Sequence, residues 1–126
     1  MNTKPISPRN HTLADYALTG ALLIAPQLLG FGKKIKTLYA IEAAVLLPYV
    51  ALTESPVAVK SLIPFATHGK IDPFNIAQFA LQSFWKPFRK NKAALLFNIG
   101  FTVISAATVL LTDWNGPTKR QPAGGL

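Results

Sequence analysis

Apolar and polar positions fall along this chain in long blocks, and the longest block sets the scale for the others. Ala93 to Thr112 is a stretch of twenty residues without one ionisable side chain, framed by Lys92 and by Asp113-Trp114. At 1.5 Å per residue a helix of that length covers about 30 Å, the thickness of a bilayer's hydrocarbon core. Three further blocks follow the same rule. Tyr16 to Gly32 carries no charge, Thr37 to Thr53 is interrupted only by Glu42, and Pro73 to Trp85 runs uncharged up to Lys86. The pattern predicts an all-α, integral membrane four-helix bundle built from two tandem helical hairpins. Its spans are expected over 12–31, 37–53, 73–88 and 93–112, within a domain of 11–114. A polar segment, 1–10, precedes it, and a Gly- and Pro-containing tail, 115–126, is expected to be disordered.

Local signals refine the helices. Thr12-x-x-Asp15 predicts an N-terminal cap for the first helix, and Asp72-Pro73 predicts one for the third, with Asp72 as N-cap and Pro73 at the first helical position. Ala14, Ala17, Ala21 and Ala25 make a stripe of small side chains, and Ala40, Ala44, Pro48 and Ala51 make another on the second helix. Such stripes let membrane helices approach closely. Pro26 predicts a bend near the end of the first helix. The connection 56–70, mixed in polarity, is expected to lie in the interface or over the bundle mouth.

Composition agrees with this and narrows the partners. Half of the 126 residues are hydrophobic and only 14% are charged, against about 25% in soluble chains. A net charge of +8 would suggest nucleic acid in a soluble protein, but the basic residues sit beside apolar runs, so no nucleic acid is expected. Lys33, Lys34, Lys36, Arg89, Lys90 and Lys92 are placed instead to meet anionic lipid headgroups. If the third helix spans, Lys86 joins them and both turns face one side; the positive-inside rule makes that side cytoplasmic. The expectation is a multi-pass protein of the cell membrane with both termini outside, open to a homo-oligomeric or membrane partner. The absence of cysteine removes disulfides, thiol redox chemistry and thiolate metal sites. Met1 to Asn10 lacks the order of a cleaved signal, so the first span is expected to direct its own insertion.

The chain also matches itself. A shift of 57 residues places His11 on His68, Asp15 on Asp72, Phe31 on Phe88, Lys33 on Lys90 and Leu38 on Leu95; two more place Leu52-Thr53-Glu54 on Leu111-Thr112-Asp113. Two copies of one hairpin are implied. Ala25-Pro26-Gln27-Leu28-Leu29-Gly30-Phe31 in the first copy and Ser83-Phe84-Trp85 in the second together resemble the motif of the SPW-repeat family of small membrane proteins, in which Ser-Pro-Trp near the end of each hairpin's first helix is often followed by Leu-Leu-Gly-Phe. The resemblance implies a location and a fold, not an activity.

Two sets of polar residues are candidates for function. His11 and Asp15, and His68 and Asp72, are spaced i, i+4, and the repeat brings both pairs to one membrane face. Imidazole and carboxylate together suit zinc or iron; the competing reading, preferred because Pro73 makes Asp72 a cap, is helix capping with histidines at headgroup level, so no metal or other cofactor is expected. Glu42, Gln82 and Asn98 fall at one depth, with Lys86 a turn nearer the cytoplasm and Asn75 and Gln78 extending the stripe outward. That cluster either fixes helix register or binds a proton or solute. No Gly-x-Ser-x-Gly turn or phosphate loop is present. The reading preferred on sequence is a non-catalytic structural or accessory membrane module, followed by a small transporter or channel subunit working at Glu42, and then by a metal-dependent membrane enzyme.

Overall fold

The fold comes from a computed structural model, which describes residues 4–119. Among them are five helices and no strands: α1 (Pro8–Leu28), α2 (Lys33–Ala51), α3 (Phe65–Gln82), the single-turn α4 (Lys86–Arg89) and α5 (Lys92–Leu111). The chain is all-α, as expected, but with a short extra helix at the second tip. The part of the expected tail from 120 onward, like residues 1–3, lies outside the described residues.

Both first helices of the hairpins begin earlier than the sequence signals suggest. Ser7 is the N-cap of α1, its hydroxyl accepting from the Asn10 amide, and Pro8 occupies the first turn. Thr12 and Asp15 therefore sit inside the helix. Likewise α3 starts after Pro64, so Asp72 is not a cap and Pro73 is an interior residue. The connection is correspondingly shorter, and 65–70 is its former end turned helical. At its other end α1 stops in a Schellman motif: the Phe31 amide reaches back to Pro26 O, the Gly30 amide to Gln27 O, and Gly30 takes φ +67°. That gives Leu28-Leu29-Gly30-Phe31 a physical meaning, because glycine permits the left-handed turn and Phe31 drops into the core.

The duplication is explicit in the backbone. Ile6 pairs with Thr112 and Ile63 with Thr53, and Asp113 N donates to Ile6 O as Glu54 N donates to Ile63 O, both at 2.7 Å. Offsets of 57 and 59 residues interconvert these contacts. α1 packs on α2 and α3 on α5, yet the short segment leading into each hairpin bonds to the end of the other.

Burial runs against the soluble pattern. The core of Leu22, Phe31, Ile35, Tyr39, Phe79, Phe88 and Phe101 shares the interior with buried His11, Thr19, Glu42, Thr53, His68, Asp72, Asn98 and Thr112. Leu28, Ile41, Val45, Leu81, Val103 and Leu110 stand exposed. Ala43, not the expected Ala40 and Ala44, faces inward on α2, and Ala17 of the α1 stripe is exposed. A helix meets neighbours over one arc only, and larger side chains complete that arc here. Among the described residues one helix, α5, is long and apolar enough to cross a membrane, and only 22% of its apolar stretch is buried; the other three expected spans do not reach that mark.

Gly30→Ala, forced into the left-handed region, should lower unfolding stability by about 1–2 kcal/mol. Gly20→Ala in α1, where an added Cβ meets nothing within 4 Å, should raise it by about 0.5–1 kcal/mol. Paired thermal or denaturant melts check both signs.

Candidate metal centre

α1 and α3 start at the same end of the bundle, and each carries a histidine in its first turn and an aspartate one turn deeper. The repeat thus brings four side chains to one point. His11 Nε2 lies 3.2 Å from both Asp15 Oδ2 and Asp72 Oδ2, and His68 Nε2 lies 3.1 Å from Asp15 Oδ2 and from Asp72 Oδ1. The four groups alternate, nitrogen and oxygen, with all ligand atoms within 4.8 Å of one another. Bonds of ~2.0–2.2 Å to a central ion would set tetrahedral edges of about 3.3–3.6 Å, so modest expansion of this ring accommodates a first-row divalent ion.

What lies behind the imidazoles is equally specific. His11 Nδ1 is 2.8 Å from Thr112 Oγ1, and His68 Nδ1 is 2.8 Å from Thr53 Oγ1. Each threonine gives its hydroxyl proton to a carbonyl one turn back, Thr108 O and Tyr49 O respectively. A hydroxyl has one proton to give, so each Oγ1 must accept from Nδ1–H. Both rings are thereby fixed with Nε2 facing the ring of carboxylates, the tautomer a metal-binding histidine needs. Each threonine comes from the opposite hairpin.

The outer side is closed. Trp114 and Phe65 cover His11 at ring separations of 4.9 and 5.6 Å, and Tyr49 stacks on His68 at 4.2 Å. Trp114 lies so close to α3 that a Cβ on Gly69 would come within 2.8 Å of its ring. Tyr49 OH also donates to Asp72 Oδ1 at 2.9 Å.

Burial alone would push both imidazoles toward neutrality, but the two carboxylates outweigh it. His11 is raised from 6.5 to about 9, and His68 is raised as well. Burial lifts Asp72 in turn, and the two imidazoles outweigh that, holding it at about 2 in place of 3.8. The shifts of His11, His68 and Asp72 all favour the charged forms that attract one another across the ring. A divalent ion displacing two protons leaves the charge unchanged, which makes exchange of protons for metal electrostatically even. His11 Nε2 divides itself between two carboxylates at 3.2 Å each, and neither contact is aligned as a full hydrogen bond.

The second expected cluster forms in part. Glu42 accepts from Gln78 Nε2 at 2.8 Å and Gln82 Nε2 at 3.3 Å. Asn98 Oδ1 accepts from Gln82 and from Tyr39 OH at 2.8 Å, while its amide donates to Phe79 O and Ser83 Oγ. Tyr39 was not anticipated, although the 59-residue offset sets it opposite Asn98. Lys86 does not join: α4 turns it out into a groove with Lys33, Lys34, Trp85 and Lys90. Asn75 faces a separate internal chamber. Of the motif residues Pro26 is buried, Ala25 half-buried, and Gln27, Phe84 and Trp85 are exposed. Comparison with family profiles, with curated proteins and with solved structures yields no match.

The ring's stabilisation has a pH window. In metal-free protein the histidine contribution is complete below 6.5 and is lost as pH climbs through about 9. The Asp72 contribution holds above 3.8 and is lost as pH falls through about 2. Melting midpoints in chelator should therefore peak between these limits, and Asp72→Asn should flatten the alkaline limb. Separately, Asn98→Leu orphans Tyr39 OH and Phe79 O and should lower the melting free energy by about 1–3 kcal/mol.

Proposed function

We propose that this chain is a small multi-pass membrane protein whose working part is a divalent transition-metal centre made by His11, Asp15, His68 and Asp72. The observation that carries the proposal is the convergence of four ligand atoms within 4.8 Å, with both imidazoles oriented by threonines. Two nitrogens and two carboxylate oxygens suit zinc or iron(II). The metal joins the two hairpins at headgroup level.

The membrane part of the proposal is supported by the inside-out distribution of polarity. A core helix of a soluble protein would be mostly buried, and α5 is not. Leucine, isoleucine and valine on the outside with histidine, aspartate, asparagine and threonine inside is the arrangement lipid favours. Both lysine-rich tips line one groove at the bundle end opposite the ring, which supports a cytoplasmic face for Lys33, Lys34, Lys36, Arg89, Lys90 and Lys92 against anionic headgroups. The SPW-repeat resemblance fits this placement. At Glu42 both carboxylate oxygens accept from glutamines, and we assign that cluster to helix register in preference to transport.

Purified protein should carry one divalent ion per chain by elemental analysis, lost in the His11→Ala, His68→Ala double variant. Reloading stripped protein at about a hundred times the dissociation constant should add ~2.7 kcal/mol to stability. Metal content equal to that of the double variant overturns the metal reading. Cysteines introduced at Lys34 and Lys90 should label from one side of a vesicle; labelling from opposite sides overturns the topology.

A further inference from the structure

Directly inward of the ring lies a chamber of about 50 Å³ walled by all four long helices. Asp15 and Thr19 come from α1, Tyr49 from α2, Asp72 and Asn75 from α3, and Ser105 from α5, with leucine, isoleucine, valine and phenylalanine between them. It sits on the axis that relates the two hairpins. The imidazoles are closed off, with side chains 1–2% exposed, whereas the carboxylates of Asp15 and Asp72 keep 17% and 11%. The aromatic cover of Trp114 and Phe65 closes the outer side. Asp15 and Asp72 both line the chamber while the two histidines do not, so the cluster presents its carboxylates to it.

Resting on the metal reading above, we propose that this chamber is the ligand pocket of the metal centre and that it takes an uncharged molecule of a few non-hydrogen atoms. Size follows from volume: a water-sized group needs ~10–15 Å³ on this measure, so about 50 Å³ has room for about three to five such groups. Neutrality follows from charge. One divalent ion, two carboxylates and two neutral imidazoles sum to zero, so nothing draws an anion out of water into walls that are mostly apolar. Thr19, Asn75 and Ser105 supply the few polar contacts that orient a ligand within such a pocket.

The test uses full-length protein loaded with cobalt(II), whose visible absorption reports its ligands. Three probes separate size from charge: methyl isocyanide, small and neutral; tert-butyl isocyanide, neutral but larger; and azide, small but anionic. Methyl isocyanide should shift the spectrum saturably, and the other two should leave it unchanged at equal concentration. Ser105→Leu, or the milder Ser105→Val, fills the chamber and should weaken the methyl isocyanide response about tenfold with cobalt affinity unaltered. Bound cobalt that ignores methyl isocyanide, answers all three probes alike, or answers equally in both Ser105 variants overturns the chamber and leaves the metal reading standing. Failure to bind cobalt overturns both.

Discussion

The structure depends on four side chains that cannot be buried separately. An imidazole or carboxylate taken out of water alone carries a penalty of several kcal/mol, and this chain takes out two of each. They are tolerable only together, alternating at 3.1–3.2 Å around one point. That requirement ties the start of α1 to the start of α3. Through Thr53 and Thr112 it also ties the end of each hairpin to the histidine of the other. The paired bridges of Ile6 with Thr112 and Ile63 with Thr53 brace the same corner.

A second polar level, Tyr39, Glu42, Gln78, Gln82 and Asn98, holds the bundle further along. It differs in kind from the first. Each level leaves one buried atom without a hydrogen bond, Gln82 Oε1 here and His11 Nε2 in the ring, but here amides and a phenol surround one carboxylate, whereas the ring is made wholly of imidazoles and carboxylates. A buried hydrogen-bond network specifies one arrangement of helices; a ring of imidazole nitrogens and carboxylate oxygens offers ligand atoms as well.

Much of this was legible in the residues. The i, i+4 spacing of His11 with Asp15, repeated 57 residues later, located the ring, and the 59-residue offset already paired Thr53 with Thr112. The role of those threonines was not legible, because spacing within a hairpin says nothing of a contact that crosses to the other. The helix starts were misread for a related reason. Asp72-Pro73 has the form of a cap, and Pro73 in a helix interior forfeits a backbone bond; yet α3 runs through it. Ser7-Pro8, also a cap and first-turn pair, marked the true start of α1, and the repeat carries it onto Pro64-Phe65. The expected alanine seam on α2 erred because Ala40 and Ala44 lie on the outward arc, and composition does not distinguish outward-facing from helix-facing positions; on α1 only Ala17 is exposed, while Ala14, Ala21 and Ala25 are half-buried.

Because the ring lies on the axis between two copies, one hairpin alone possesses half of it, with its threonine aimed at a histidine it does not have. A hairpin by itself would need a second copy to complete the ring. Carrying both copies in one chain fixes the stoichiometry and lets the halves differ: Tyr49 stands where the second copy has Thr108, and Trp114 where the first has Ser55. A bulky indole on one side and a small hydroxyl on the other give the junction a front and a back.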